Sequence, residues 1–289
     1  VKITNKFNIP QAIVNFAHRN EYNPGASDTT VSRLIDSPRI GVLSKRHNDE
    51  IEIDIQELIP ALVGTALHSI FEKGAEKEKT VISEERIFYK INGWRVSGQI
   101  DTQDIEPDGV IVTDYKSTSA WAVMNEKIEW EYQLNLYAYL VEKVKGLKVK
   151  EAQIVALVRD WNRRDVGKEN YPESMVVTIP AKLWTMEERE AYLIDRLNKH
   201  AEADASLVLG GAIADCTPAE QWRSEETFAV YKNKNMNRAF RVFALKEEAD
   251  NFASQEKDVS VVTRKAEPKR CLNWCRVAQF CDQKKREEE

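Results

Sequence analysis

Apolar and polar positions along this chain alternate with two different periods. IQELIPALVGTALHSIFEKGAEKE, residues 55–78, carries Leu62, Ala66, Leu67, Ile70 and Phe71 at helical spacing, with Pro60 as a point of interruption. VISEERIFYKINGWRVSGQID follows and reads as two strands around Asn92-Gly93, a pair that favours a tight hairpin turn. Pro107, Asp108 and Gly109 then reverse the chain into a third strand, GVIVTDYK. The segment IEWEYQLNLYAYLVEKVKG places Trp130, Leu134, Tyr137, Val141 and Val144 near one helix face. AQIVALVRDW and SMVVTIP are two further strands. TMEEREAYLIDRLNKHAEA opens with Thr185 and Glu188 at the spacing of a capping box. Helix, three strands, helix, two strands and helix predict an α/β fold, a mixed sheet flanked by helices.

The two ends differ from this middle. Residues 1–55 form a loop-rich region with short helices, of which SDTTVSRLIDSP is one, stopped by Pro38. Residues 56–215 are the core. Residues 216–289 form a C-terminal lobe, in which 226–264 reads as strand, turn, strand, helix, strand. An insert of that size is not expected to be stable alone.

Composition narrows the class. Hydrophobic residues make up 42% of the chain and charged ones 31%, as in soluble globular proteins. No run of about 18 apolar residues exists, so no membrane span is expected. The N-terminus lacks the pattern of a secretory signal, so a cytoplasmic protein is expected. The net charge of −5 argues against a basic nucleic-acid coat, but Arg264 to Arg286 holds eight Lys/Arg against Glu267 and Asp282, leaving that segment net +6.

The chemistry concentrates in GQIDTQDIEPDGVIVTDYKS. Asp101 ends one strand, and Asp114 and Lys116 share a face of the next, since alternate strand residues point the same way. Two carboxylates bind divalent cations, and a neighbouring ammonium can orient a water there. Alone, the same residues read more readily as a solvated hairpin with a surface ion pair. Three other pieces accompany them in order: G-x-x-x-H at Gly64–His68, G-x-I-D at Gly98–Asp101, and Q-x-x-x-Y at Gln133–Tyr137. Together, over roughly residues 60–145, this set resembles the RecB-type branch of the PD-(D/E)XK nuclease superfamily.

The resemblance implies a restriction-endonuclease-like core and metal-dependent hydrolysis of DNA. It implies Mg or Mn held by His68, Asp101, Asp114 and the carbonyl of Tyr115. Lys116 would position the attacking water and offset charge on the phosphate. Gln133 and Tyr137 would hold the lysine, the water or a DNA phosphate, although Tyr137 is equally readable as core. Of Glu84 and Glu85, the resemblance favours Glu84 as the assisting acid. Trp121, just past the D-x-K strand, is either packing or a platform for a base.

Cys271, Cys275 and Cys281 form C-x3-C-x5-C, and Cys216 is the one other cysteine. A disulfide framework is improbable in a chain of this size and composition. Four thiols suit one site, an iron–sulfur cluster or structural zinc. The group resembles the C-terminal cysteines of AddB-type and CRISPR-associated RecB-like nucleases, which implies a [4Fe-4S] cluster with zinc as the alternative. In those relatives the fourth cysteine precedes the nuclease motifs, whereas Cys216 follows them, and the first spacing there is C-x2-C.

The resulting expectation is an exonuclease that processes DNA ends for recombination or replication, like stand-alone RecB-like enzymes of phages, which would place it in a bacterial host cytoplasm. A nucleotide-binding loop is not expected: the nearest fragment, GAEKEKT at 74–80, lacks the second glycine. A helicase, recombinase or single-strand-binding protein would therefore be a separate partner. The rivals are a non-catalytic DNA-binding or assembly module, an endonuclease or flap nuclease, and a CRISPR spacer-acquisition nuclease.

Overall fold

The architecture comes from a computed structural model that describes residues 1–18, 26–75, 80–125, 127–232 and 237–288, without the side chains of Ala75 and Leu207. Most of GAEKEKT and part of the turn within the 226–264 insert lie outside these residues.

The N-terminal region supplies β1 (Lys2–Thr4), α1 (Gln11–His18), β2 (Thr29–Thr30), α2 (Val31–Ile35), α3 (Pro38–Arg46) and β3 (Glu52–Asp54). Thr30 caps α2 by accepting the Arg33 N–H. Pro38 does more than follow α2: it opens α3, where a missing N–H costs nothing. The long helix α4 (Ile55–Ala75) runs through Pro60 without a break.

The core strands follow as β4 (Val81–Ile91), β5 (Trp94–Glu106) and β6 (Gly109–Thr118). Asn92 and Gly93 take φ of 48° and 81°, as a two-residue hairpin turn with both central residues left-handed requires. Gly109 is required for space as well as for conformation, since a Cβ there would stand 2.8 Å from the Lys148 carbonyl oxygen. Next come α5 (Ala120–Met124), α6 (Ile128–Lys145), β7 (Val149–Val158), β8 (Val176–Pro180) and α7 (Met186–Leu209). The sheet order is β2-β5-β6-β7-β8 with β4 on β5, and β6 and β7 run parallel across the α5–α6 connection. Thr185 and Glu188 form the expected capping box on α7.

The main core lies between this sheet and α6. Leu134, Tyr137, Leu140 and Val141 of α6 meet Val96, Ile100, Val112 and Ile154 of the strands. Val144 departs from the expected stripe and is exposed. The stripe assigned to α4 is mostly not core either: Leu62 is buried, but Ile70 is 61% exposed. The start of that helix packs against α1 in a small cluster with Ala17 and Ile55, and near its end Phe71 stacks on Tyr115. Among the described residues, nothing lies within 4 Å of where a Cβ on Gly64 would be, so the α4 face at that point stands clear of the sheet. Ala75's surroundings lie outside the described residues.

The insert is a three-stranded sheet, β9 (Thr227–Tyr231), β10 (Arg241–Phe243) and β11 (Ser260–Arg264), with α8 (Lys246–Ser254) against it. Phe228, Val230, Ala249, Phe243 and Phe252 give it its own core. The chain ends in α9 (Lys269–Asn273) and α10 (Asp282–Glu288). Here the two ends of the sequence share one cluster: Ile40, Leu43 and Ile51 pack with Val277 and Cys281.

Candidate active site

The sheet forks within β5. Val96 and Ser97 pair with β2, and Thr102 to Glu106 pair with β6, so among the described residues Gly98–Asp101 has only β4 as a strand neighbour. Tyr137 and Leu140 of α6 fill the space beside the fork. A Cβ on Gly98 would come within 2.9 Å of both side chains. Ile100 goes into the core, and at Asp101 the ladder is replaced by a side chain: Asp101 Oδ2 accepts the Tyr115 N–H at 2.7 Å. Each fixed position of G-x-I-D thus has its own physical reason.

Three elements bring acids and a histidine to this fork. His68 of α4 places Nδ1 3.4 Å from Asp101 Oδ2 and 3.6 Å from Glu84 Oε1. The donor atoms of His68, Glu84 and Asp101 all lie within 4.8 Å of one another. Glu84 stands opposite Asp101 but is skipped by the β4–β5 ladder, since its φ is +51°. A non-glycine residue there costs on the order of 1–3 kcal/mol and persists only where its surroundings impose it. Gln99 donates to Glu84 Oε2 at 2.6 Å and so fixes that carboxylate. Glu85 is turned away, to Lys145 at 2.6 Å and Gln103 at 2.7 Å, which separates the two adjacent glutamates.

Asp114 is buried, and Lys116 returns across it, with Nζ 2.6 Å from Asp114 Oδ2. Gln133 ties the group together. Its Oε1 accepts from Lys116 Nζ at 3.0 Å, and its Nε2 lies 3.1 Å from Asp114 Oδ1 and 2.7 Å from Tyr137 Oη. Tyr137 is therefore both core and site: buried against Gly98, with its hydroxyl on Gln133.

The electrostatics favour a cation. Hydrogen bonds to Asp101 and Glu84 push the His68 imidazole up to about 10 against the effect of burial, and its proton holds Glu84 low. Burial, with the Asp101 charge nearby, pushes Asp114 up to about 6 in spite of Lys116. Asp114 Oδ2 is buried without a well-formed hydrogen bond, although the Lys116 ammonium is close. Hard oxygen donors, one imidazole and an incompletely satisfied buried carboxylate fit a divalent cation of the Mg²⁺ or Mn²⁺ kind.

The cysteines meet elsewhere. Cys216, Cys271, Cys275 and Cys281 line one small cavity under α3, and all are free thiols. Arg39, only 2% exposed, reaches into it. Its Nε donates to Cys281 Sγ at 3.3 Å and its Nη1 to the Ile213 carbonyl at 2.7 Å, while Asp215 and Asp282 pair with the guanidinium. Ser37 Oγ lies 3.2 Å from Cys216 Sγ. Burial pushes the Cys216 thiol up to about 12 and raises Cys271 and Cys275 as well. Sequence reasoning did not find Arg39, Ser37 or Gln99, because none lies in a recognisable spacing with the groups it serves.

The profile of the PD-(D/E)XK nuclease superfamily matches residues 54–282. A stretch of 58 residues, 19% of this chain, is 43% identical to one subunit of the ATP-dependent helicase/nuclease of Carboxydothermus hydrogenoformans, of which it spans 5%. The solved structure of SSO0001 aligns with 67% of this chain and 85% of its own at 15% identity, with a TM-score of 0.47.

Proposed function

The chain belongs to the PD-(D/E)XK nuclease superfamily, and from that premise we propose that it is a Mg²⁺- or Mn²⁺-dependent deoxyribonuclease acting at DNA ends. One observation carries the reading: at the fork of β5 and β6, a His68–Glu84–Asp101 donor group adjoins a Lys116 ammonium held by Asp114 and Gln133. His68, Asp101 and Asp114 would hold the cation, with the Tyr115 carbonyl as a further ligand and Glu84 assisting. A divalent ion there supplies Lewis-acid polarisation of the phosphate and a water of lowered pKa.

The chain's own residues do the rest. Lys116 presents positive charge where it grows negative on the phosphate. Gln133 fixes the lysine, and Tyr137 fixes Gln133 across one helical turn. Gln99 holds Glu84 in its unusual backbone conformation against His68. End-labelled single- and double-stranded DNA, with and without Mn²⁺, tests the proposal. Release of mononucleotides or short products from the end supports exonuclease action. Cutting of covalently closed circles would move the reading to an endonuclease, and DNA binding without cleavage would move it to an assembly module.

The four thiols are proposed to hold a [4Fe-4S] cluster. A single zinc needs sulfurs about 3.8 Å apart, from Zn–S bonds of about 2.3 Å in a tetrahedron. Among the described residues, the group compact enough for a single ion is His68, Glu84 and Asp101, and no three of the thiols form such a group. Four thiols around one buried guanidinium also suit an anionic cluster that takes the thiolates and uses Arg39 as counter-charge. Anaerobically purified protein should carry iron and sulfide and be brown. Stoichiometric zinc without iron would replace the cluster by a zinc site. A role in recombination or replication with a separate helicase is part of the same proposal. Among the described residues no helix is long and apolar enough to cross a membrane.

A further inference from the structure

We propose that Trp121, Trp222 and Trp274 line a base-stacking groove for single-stranded DNA, leading from Lys116 to the C-terminal lobe. The proposal rests on the nuclease reading and adds where the uncut part of the strand lies.

Two adjoining cavities define the path. The first is lined by Lys116 and Gln133 together with Lys127, Trp222 and Arg270. The second shares Lys127 and Trp222 with it and continues past Trp121, Arg264 and Lys265 to Trp274. It measures about 1500 Å³, beyond the roughly 300–1,000 Å³ typical of small-molecule sites. A polymer fits such a shape better than a metabolite does.

The walls are unusual for a water-facing surface. Trp274 is 73% exposed, Trp121 63% and Trp222 43%. Large indoles left in water along one groove mark a binding surface rather than packing. Each is also held in place. Trp121 sits in α5, whose start is fixed by the Ser119 cap and by the Ala120 N–H on Asp160 at 2.7 Å. Trp222 has a φ of +49°, with the Arg270 guanidinium 5.0 Å and the Lys127 ammonium 5.9 Å from its ring. Trp274 ends α9 next to Cys275, so the cysteine site positions it. Thr227, Thr263 and Arg264 of the insert complete the far wall, which gives that lobe a task.

Charge selects an anionic occupant, and stacking selects a single strand. Among the described residues no carboxylate lies at salt-bridge distance from Lys127, Lys265 or Lys269. Glu129, Glu225 and Glu267 face the second cavity, and Asp36, Asp195 and Glu220 face the first, so the positive excess is modest and the indoles carry much of the affinity. Base faces are free to stack on an indole in a single strand and are covered in a duplex.

The test is titration of the protein as purified, with its cysteine site intact and no Mg²⁺ or Mn²⁺ added, with oligothymidylate, followed by tryptophan fluorescence and anisotropy. Quenching is expected. Trp121→Ala and Trp274→Ala should each weaken binding roughly tenfold, and Trp→Phe at the same positions should retain most of it. Lys265→Glu with Lys269→Glu should weaken it as well and lower the salt dependence. Melting curves establish that each variant is folded. The double tryptophan variant binding oligothymidylate as wild type does, or blunt duplex competing equally, would overturn the groove. Cleavage of DNA by wild type together with that result leaves the nuclease reading intact. Tryptophan-dependent binding with no cleavage in Mg²⁺ or Mn²⁺ defeats the nuclease reading and leaves the groove.

Discussion

The fork of β5 and β6 and the cysteine cavity are both candidate metal sites, yet they are built in opposite ways. The fork draws most of its groups from one hairpin and the two helices beside it, spanning His68 to Tyr137. Its groups are set at some energetic cost: a glutamate in left-handed backbone, a buried carboxylate with an unsatisfied oxygen, a histidine between two acids. The cysteine cavity joins segments from both ends of the chain, and its central cation, Arg39, has its donors matched by a thiol, two carbonyls and two carboxylates. Groups kept in tension serve chemistry, whereas groups fully matched across a long loop serve closure.

The largest contrast should appear when one charged residue is removed from each place. Lys116→Ala is expected to cut DNA hydrolysis by roughly 10²–10³-fold or more, as loss of a charge-stabilising donor does, with the smaller shift of the urea midpoint, since Asp114 keeps Gln133 as a donor. Arg39→Ala should do the reverse. It strips donors from the Ile213 and Ala214 carbonyls and from the Cys281 sulfur, at about 3 kcal/mol, while Asp215 and Asp282 keep Arg286 as a partner. Residual activity per folded molecule should then stay near wild type when measured on a short single-stranded substrate. Urea melts and single-turnover rates on the same preparations check both. Equal losses of stability in the two variants would erase the distinction between the places.

What could be read in the sequence follows the same division. Asp101, Asp114 and Lys116 were legible because strand alternation and a short turn place them, and Gln133 and Tyr137 because one helical turn does. The order of strands and helices was legible for the same local reasons. Arg39 was not, since nothing in residues 37–43 indicates that they meet residues 213–216 and 281–282. The α4 stripe was legible as apolar but not as exposed, because helical spacing reports that a face is apolar, not that anything covers it. Ile70 has the right spacing and is left in water. Glu84 could be separated from Glu85 only by resemblance, because its left-handed φ changes its orientation without leaving a sequence signal.

A smaller effect should link packing to chemistry at the fork. Gly98→Ala adds one methyl where Leu140 and Tyr137 already stand within 2.9 Å of its position. Overpacking of this kind costs about 1–3 kcal/mol. Because Tyr137 holds Gln133 and Gln133 holds Lys116, the rate should fall as well, by about tenfold. A second change, Tyr137→Phe, removes the hydroxyl and not the ring. It should reproduce the loss of rate with little loss of stability if the link runs through the Oη–Gln133 hydrogen bond. A full rate in Tyr137→Phe would make Tyr137 a packing residue only.

The smallest contrast compares two neighbours on one strand. Glu84→Gln keeps the shape of the side chain and removes its charge. It should weaken Mn²⁺ binding by about 10–100-fold, the range seen when groups around a metal ligand are changed, because Glu84 faces His68 and shares its donor group. Glu85→Gln makes the same chemical change one residue away. Glu85 faces Lys145 and Gln103 instead, and a partly exposed pair of that kind contributes about 1 kcal/mol at most. Its Mn²⁺ affinity should therefore match wild type, with a slightly lower melting temperature. Calorimetric titration of both variants with Mn²⁺ decides the matter. Equal affinities would mean that Glu84's left-handed backbone serves the fold of β4 alone, and that the cation is held without it.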